Sequence, residues 1–410
     1  MRIIAADDEV HLGHEHVPDT KIRLQLCSDL AAVEQIWREF QRDADCTVFQ
    51  LFDWLSEWIR HVGQRRSAKP LIVLGFDASG QLLIILPLAI EGGRLLRRLT
   101  WLGSDVCDYN APLLAENFSE RVTPQQFARL WRDTVALMSA NPLFQFDMID
   151  MDKMPEIVGR QLNPFLHLSA LRRNYSGHVA RLGDNWERYY ASKRSAQTRS
   201  RQRNKLKQLS KYGNTAFVEV LDPNGVRHTM DVLIEQKRKY CARNGYDDLF
   251  DRAEYREFFH AVTSNPKLRD VIHLSRLDVG ATHAAIALGL RHNTHYYLLM
   301  SGYHEGPLSR LGPGGAHLLR LLDYAIGQKL ERFDFTIGDE SYKREWTDIE
   351  VGIFAYLETT TLVGSPAVAI KNAMHRIAFL VHGKPALQHP LRKIRAAALA
   401  LRRYRMRRAH

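Results

Sequence analysis

Two short stretches of this chain combine residue types that could do chemistry. The first is Ser309-Arg310-Leu311-Gly312-Pro313-Gly314-Gly315-Ala316, set between an apolar strand pattern and a helical one. Glycine lets a main chain approach a phosphate closely, and a helix start offers unpaired N–H groups at the positive end of its dipole. No Gly-Lys-Ser/Thr follows, so this is not a Walker loop, and the spacing fails the Gly-x-Gly-x-x-Gly dinucleotide fingerprint. On composition alone, a tight turn that needs glycine explains the same residues. The second stretch runs from Asp334 to Trp346. Strand alternation predicts Phe333, Phe335 and Ile337 on one face, with Asp334, Thr336 and Gly338 on the other. The polar face of a strand beside a phosphate loop is a place for substrate. Tyr342 and Lys343 follow on about one helical turn; equally, Lys343, Arg344 and Glu345 form a solvated face with Tyr342 packed sideways.

The elements that must position these residues come in two similar series. In the first half, Leu51, Trp54, Leu55 and Trp58 share one helical face. Residues 70–76 and 81–90 read as strands joined by a turn at Asp77-Ala78-Ser79-Gly80. A strand over 98–103, a helix over 125–140 and a strand over 144–151 complete that half. In the second half, residues 186–209 read as one long basic helix and 215–220 as a strand. A helix over 229–244 is closed by Gly245, and a shorter one spans 256–264. Strands over 271–277, 282–290 and 294–301 precede the glycine loop, a helix over 316–329 and a strand over 332–337. This is a mixed α/β layout. The expected domains are a flexible leader at 1–20, halves at 21–165 and 166–360, and a tail at 361–410.

Composition narrows the function classes. The 410 residues suffice for two cores, and 45% hydrophobic with 25% charged residues is globular usage. No apolar run reaches the length of a membrane span, and acids at Asp7, Asp8 and Glu9 argue against a signal peptide. Cys27, Cys46, Cys107 and Cys241 have no paired spacing, which points to a reducing cytoplasm rather than a disulfide or zinc framework. His11, His14 and His16 read as a solvated leader, so no metal is expected. The net charge of +11 is concentrated: residues 193–211 and 392–408 each hold eight basic residues and no acid. Those sixteen charges exceed the net value, so the rest of the chain is net acidic by five. Residues 193–211 read first as a solvated helix balanced by acids elsewhere, and second as a site for an anionic substrate. Aromatics are absent between Tyr190 and Tyr212, which argues against a stacking platform for nucleic acid. In the tail, Ile394, Ala397, Ala398 and Leu401 share a face flanked by arginines. That face suits weak peripheral contact at the inner membrane surface, or an acidic protein.

The glycine loop, the Asp334–Lys343 stretch and the basic helix with its following strand resemble GNAT acyltransferases of the CelD-like, cellulose-biosynthesis-associated group. Phe49-Gln50 through Trp58, Gly103-Ser104-Asp105, Asp108-Tyr109-Asn110-Ala111-Pro112-Leu113 and Ile234-Glu235-Gln236-Lys237 add to the resemblance, which covers roughly residues 25–350. The FemAB aminoacyltransferases are relatives of that group by fold. The resemblance implies tandem GNAT-like halves, the first degenerate and the second carrying an acyl-CoA site at Ser309, Gly312, Gly314, Gly315 and Ala316. Ser309 departs from the Gln or Arg the family carries there. The thioester would lie along residues 294–301, opposite the strand with Asp334. An acceptor amine or hydroxyl would then attack it directly. Tyr342 would be the acid, Asp334 or Glu340 the base, and Lys343, Asp108 and Tyr109 substrate contacts. Acetyl-CoA is the expected co-substrate and a saccharide or cell-envelope precursor the expected acceptor. The alternatives are a FemAB-like enzyme drawing on aminoacyl-tRNA, and a non-catalytic scaffold in polysaccharide biosynthesis.

Overall fold

The computed structural model describes residues 4–5 and 22–381. Most of the expected leader and the tail face around Ile394 lie outside the described residues. The chain divides into two compact units: residues up to Ser176 together with Val351–Arg376, and Gly177–Glu350 together with the residues from Ile377 on. The sequence reading ended the second domain at 360, but the segment from 351 returns to the first unit. Its strand pairs Ile353–Thr359 antiparallel against Met148–Pro155.

In the first unit the sheet runs Ile4–Ala5, Arg23–Cys27, Lys69–Phe76, Leu82–Gly92, Arg97–Trp101, Met148–Pro155 and then residues 351–359. Only the Arg97–Trp101 and Met148–Pro155 pair is parallel. The hairpin at Asp77 forms as expected: Asp77 Oδ1 accepts from the N–H groups of Ser79 and Gln81, and Gly80 takes φ 83°. The helix Pro124–Ala140 opens with a capping box from Thr123 and Gln126. It lays Phe127 and Trp131 against Phe165, whose ring also meets Trp101, all edge-on at 5.0–5.4 Å.

In the second unit the sheet runs Thr215–Glu219, Ile272–Val279, Thr282–His292, His295–Tyr303, Arg332–Ile337 and residues 177–181. Its pairs are antiparallel except His295–Tyr303 with Arg332–Ile337. The mixed α/β architecture is therefore as the sequence indicates. One helix differs: residues 186–209 form two, Trp186–Lys193 and Ala196–Leu209. Arg194 is extended, and the Ser195 hydroxyl caps the second helix by accepting from the Thr198 N–H at 3.2 Å. The glycine-bearing helix is Pro313–Gly327, starting three residues earlier than expected. Proline at its first position carries no N–H to orphan, which favours that early start. Its apolar face, Leu318, Leu321, Leu322, Ala325 and Ile326, buries against Tyr296, Phe333 and Phe335.

Candidate active site

At the head of that helix, Gly312 is the N-cap in a left-handed conformation, φ 68° and ψ 53°, and no side chain caps the helix. A short 3-10 turn, Pro307–Leu311, leads into it. Gly314 and Gly315 fall in the first helical turn, where main-chain N–H groups lack intrahelical acceptors. A Cβ added at Gly315 would meet nothing within 4 Å, and one at Gly314 only Tyr303 Cδ1 at 3.7 Å, an ordinary contact. Packing requires glycine at neither position. Helix propensity disfavours it by about 0.5–1 kcal/mol against alanine. The other two expected contacts are spent internally. Ser309 Oγ donates to the Gly306 carbonyl at 2.7 Å, and the Ala316 N–H bonds the Gly312 carbonyl at 3.1 Å.

The basic helix Ala196–Leu209 packs beside this turn: Leu206 and Leu209 join Leu308, Leu311 and Ala316 in one apolar cluster. Lys205 Nζ lies 3.8 Å from the place of a Gly312 Cβ. The expected balance of its charges by acids holds in part. Lys193 pairs with Asp348, and Arg194 pairs with Glu345 at 2.7 Å while lying over the Trp346 ring. Among the described residues no carboxylate pairs with Arg201, Arg203, Lys205, Lys207 or Lys211.

The parallel strands His295–Tyr303 and Arg332–Ile337 pair only from His295↔Arg332 to Tyr297↔Asp334. On its other edge the second strand pairs with residues 177–181 from Arg332 to Ile337, through a bulge between Gly177 and Val179. The expected alternation breaks there, because Thr336 adopts φ 59°. That conformation is rare for a β-branched side chain. Asp334 Oδ1 accepts from the Thr336 N–H at 2.7 Å, and Thr336 Oγ1 donates to the Leu298 carbonyl at 3.4 Å. Asp334 and Thr336 are both buried rather than displayed on a polar face.

The segment after this strand is drawn tight. Lys343 is buried, so it is not part of a solvated face. Its ammonium donates to the Ile337 carbonyl at 2.7 Å and lies 3.1 Å from Glu340 Oε2. Gly338, at φ 127°, lets both groups in: a Cβ there would fall 2.4 Å from Glu340 Oε2 and 2.9 Å from Lys343 Nζ. Tyr342 is half-buried, its ring edge-on to Phe335 at 6.2 Å. Burial, then the charges of Glu340 and Tyr240, push its phenol well above the ordinary tyrosine value. Tyr240 is likewise raised by burial, with Tyr246, Glu340 and Tyr303 within electrostatic reach. Tyr303, the neighbour of Gly314, accepts from Arg243 at 3.2 Å. Two tyrosines, Tyr303 and Tyr240, thus link the glycine turn to Glu340 and Tyr342.

Sequence reasoning missed those two tyrosines, which end a strand and ride a helix without any motif. It also missed His178. Buried in a strand too polar to read, His178 faces Thr347 Oγ1 at 3.3 Å and Asp339 at 3.5 Å. Asp108 and Tyr109 belong to the first unit. Tyr109 is core: its ring meets Phe49 edge-on at 6.1 Å and its carbonyl accepts from Gln50 at 2.8 Å. A cleft of about 370 Å³ lined by Leu206, Phe217, Leu277, Arg320 and Tyr324 shares no residue with the glycine turn.

Residues 196–344, which hold the basic helix, the glycine turn and Tyr342, match the family described as acetyltransferase (GNAT) domain. No curated protein matches the chain. Among solved structures, FemX is similar at 10% identity and a TM-score of 0.53, over 80% of this chain and 94% of that one. L-PGS from Bacillus licheniformis follows at 9% identity and 0.49, over 84% and 96%. A GCN5-related N-acetyltransferase from Sphaerobacter thermophilus stands at 9% and 0.35, over 71% and 82%. The protein is thus an acyltransferase with a GNAT-type domain, on a mixed α/β fold shared with FemX.

Proposed function

We propose that this enzyme moves an acyl group from an acyl-coenzyme A to an amine or hydroxyl of a saccharide or cell-envelope precursor. The observation that carries the donor is the pair Gly314 and Gly315: two glycines that packing does not require, at an uncapped helix start with Lys205 beside it. Bare main-chain N–H groups at such a turn suit a pyrophosphate. The gap between the strands beyond Tyr297 and Asp334, crossed by the Thr336–Leu298 hydrogen bond, gives the thioester arm a channel whose strand edge, residues 299–303, offers main-chain hydrogen bonds. The acceptor nitrogen or oxygen attacks the thioester carbonyl, the C–S bond breaks, and the thiolate takes a proton from the Tyr342 phenol. A tyrosine phenol is protonated at neutral pH, as a general acid must be, and burial keeps Tyr342 so. Glu340, exposed beside Lys343, is the base in this reading, since Asp334 is buried and holds the Thr336 N–H. The CelD-like resemblance supports the choice of acceptor.

A second donor, aminoacyl-tRNA, is favoured by the five basic residues of segment 201–211 that no described carboxylate neutralises, and by the FemAB-like resemblance. One experiment separates the two. Titration calorimetry with coenzyme A and acetyl-CoA compares wild type with Gly315→Ala. The expected result is a folded state stabilised by about 0.5–1 kcal/mol and coenzyme A affinity reduced about tenfold. Absence of coenzyme A binding to folded wild type defeats the first donor. Charged-tRNA binding that weakens steeply with salt then establishes the second.

A further inference from the structure

The helix Gly364–Val381 is fastened along one side over its first two turns, and its last described turn, residues 376–380, is exposed all round, Phe379 included. On the fastened side, a Cβ at Gly364 would fall 1.9 Å from the Asp147 carbonyl oxygen, Val368 is buried, and Lys371 pairs with Asp150. On the opposite side, Ile370, Met374, Ile377 and Leu380 recur at helical spacing and are 60%, 63%, 54% and 69% exposed. Leu362 and Val363, just before the helix, are exposed as well. Large apolar side chains so aligned and so exposed mark a contact surface. The helix is not long and apolar enough to cross a membrane.

The charge around this face selects what covers it. Residues 359–410 contain eleven Lys or Arg and no Asp or Glu. A second copy docking through the same face would bring two acid-free, strongly basic segments together, which like-charge repulsion opposes. The chain's own last residues would cover the apolar side chains but supply no countercharge. An anionic lipid surface satisfies both features: the apolar stripe enters the boundary between headgroups and acyl chains, and the basic residues meet the phosphates. We propose that Gly364–Val381 is an interfacial helix that seats this protein on anionic membranes, with the basic residues beyond it supplying the electrostatic half of the attachment. This surface shares no residue with the acyl-transfer site, and the proposal does not depend on which donor that site takes.

The test is co-sedimentation of the full-length protein with vesicles of phosphatidylcholine alone, or with about a third phosphatidylglycerol. The wild type is compared with an Ile370→Glu/Ile377→Glu variant, whose changes fall on exposed positions and leave circular dichroism and urea denaturation as fold controls. The expected result is sedimentation with the anionic vesicles only, reversed by high salt, and reduced about tenfold or more in the variant. Three results overturn the proposal. One is no association of wild type with anionic vesicles. Another is association that the variant retains in full, which makes the attachment one of charge alone. The third is a wild-type dimer that the variant dissolves, which gives the face to a second copy.

Discussion

Gly338 shows how a site residue's role follows from what its neighbours need. Its missing Cβ is the space through which the Lys343 ammonium reaches the Ile337 carbonyl while Glu340 closes on the same charge. Gly338→Ala inserts a methyl group 2.4 Å from a carboxylate oxygen and asks alanine to hold φ 127°. It is expected to destabilise the second unit by about 2–3 kcal/mol, measured by urea denaturation, with turnover falling because Tyr342 rides on the same turn. Lys343→Met keeps the volume but removes the buried charge. If Lys343 only anchors this turn, that variant lowers stability and kcat together and leaves KM unchanged. A raised KM instead assigns Lys343 to substrate. From sequence, Lys343 reads either as part of a charged surface run or as a substrate contact; its burial depends on one glycine's backbone angle, which no spacing rule encodes.

At the scale of elements, the helix Pro313–Gly327 seals a buried polar layer on the sheet. His317 on this helix meets Ser275 Oγ at 3.1 Å. His273 meets Tyr296 OH at 2.7 Å and stacks on Tyr324 at 4.1 Å. Burial holds each histidine's pKa down to about 3, against an ordinary value of 6.5. Because the unfolded chain takes up these two protons below pH 6.5 and the folded one does not, stability falls as pH drops through that window. Between pH 7 and pH 5 each histidine is expected to cost about 2 kcal/mol, read as a lower urea midpoint. His317→Gln should remove its own share, about 2 kcal/mol, of that pH dependence. The elements themselves were unevenly legible. The strand Arg332–Ile337 was readable because Phe333, Phe335 and Ile337 punctuate it. The strand Leu171–Arg181 was not, since Arg172, Arg173, Asn174, Ser176 and His178 hide its period. The break at Ser195 carried a visible capping signal, but the run of lysines and arginines on both sides masked it.

At the scale of the molecule, the mixed α/β layout was visible from alternating strand and helix patterns. The exact parting of the units was not, because strand pairing between distant segments leaves no local trace. The return of residues 351–376 to the first unit carries a consequence for how the protein is made. The ribosome releases the first 176 residues long before residue 351 exists, and the strand that covers the edge of Met148–Pro155 arrives only after the whole acyltransferase domain has been synthesised. The first unit therefore waits, with an open sheet edge, for the second to emerge, an arrangement that invites intermolecular pairing in the interval. A fragment ending at Ser176 is expected to aggregate on refolding, and a synthetic peptide spanning 349–376, added in trans, is expected to restore its solubility by light scattering. In vectorial synthesis, the part begun first is the part finished last.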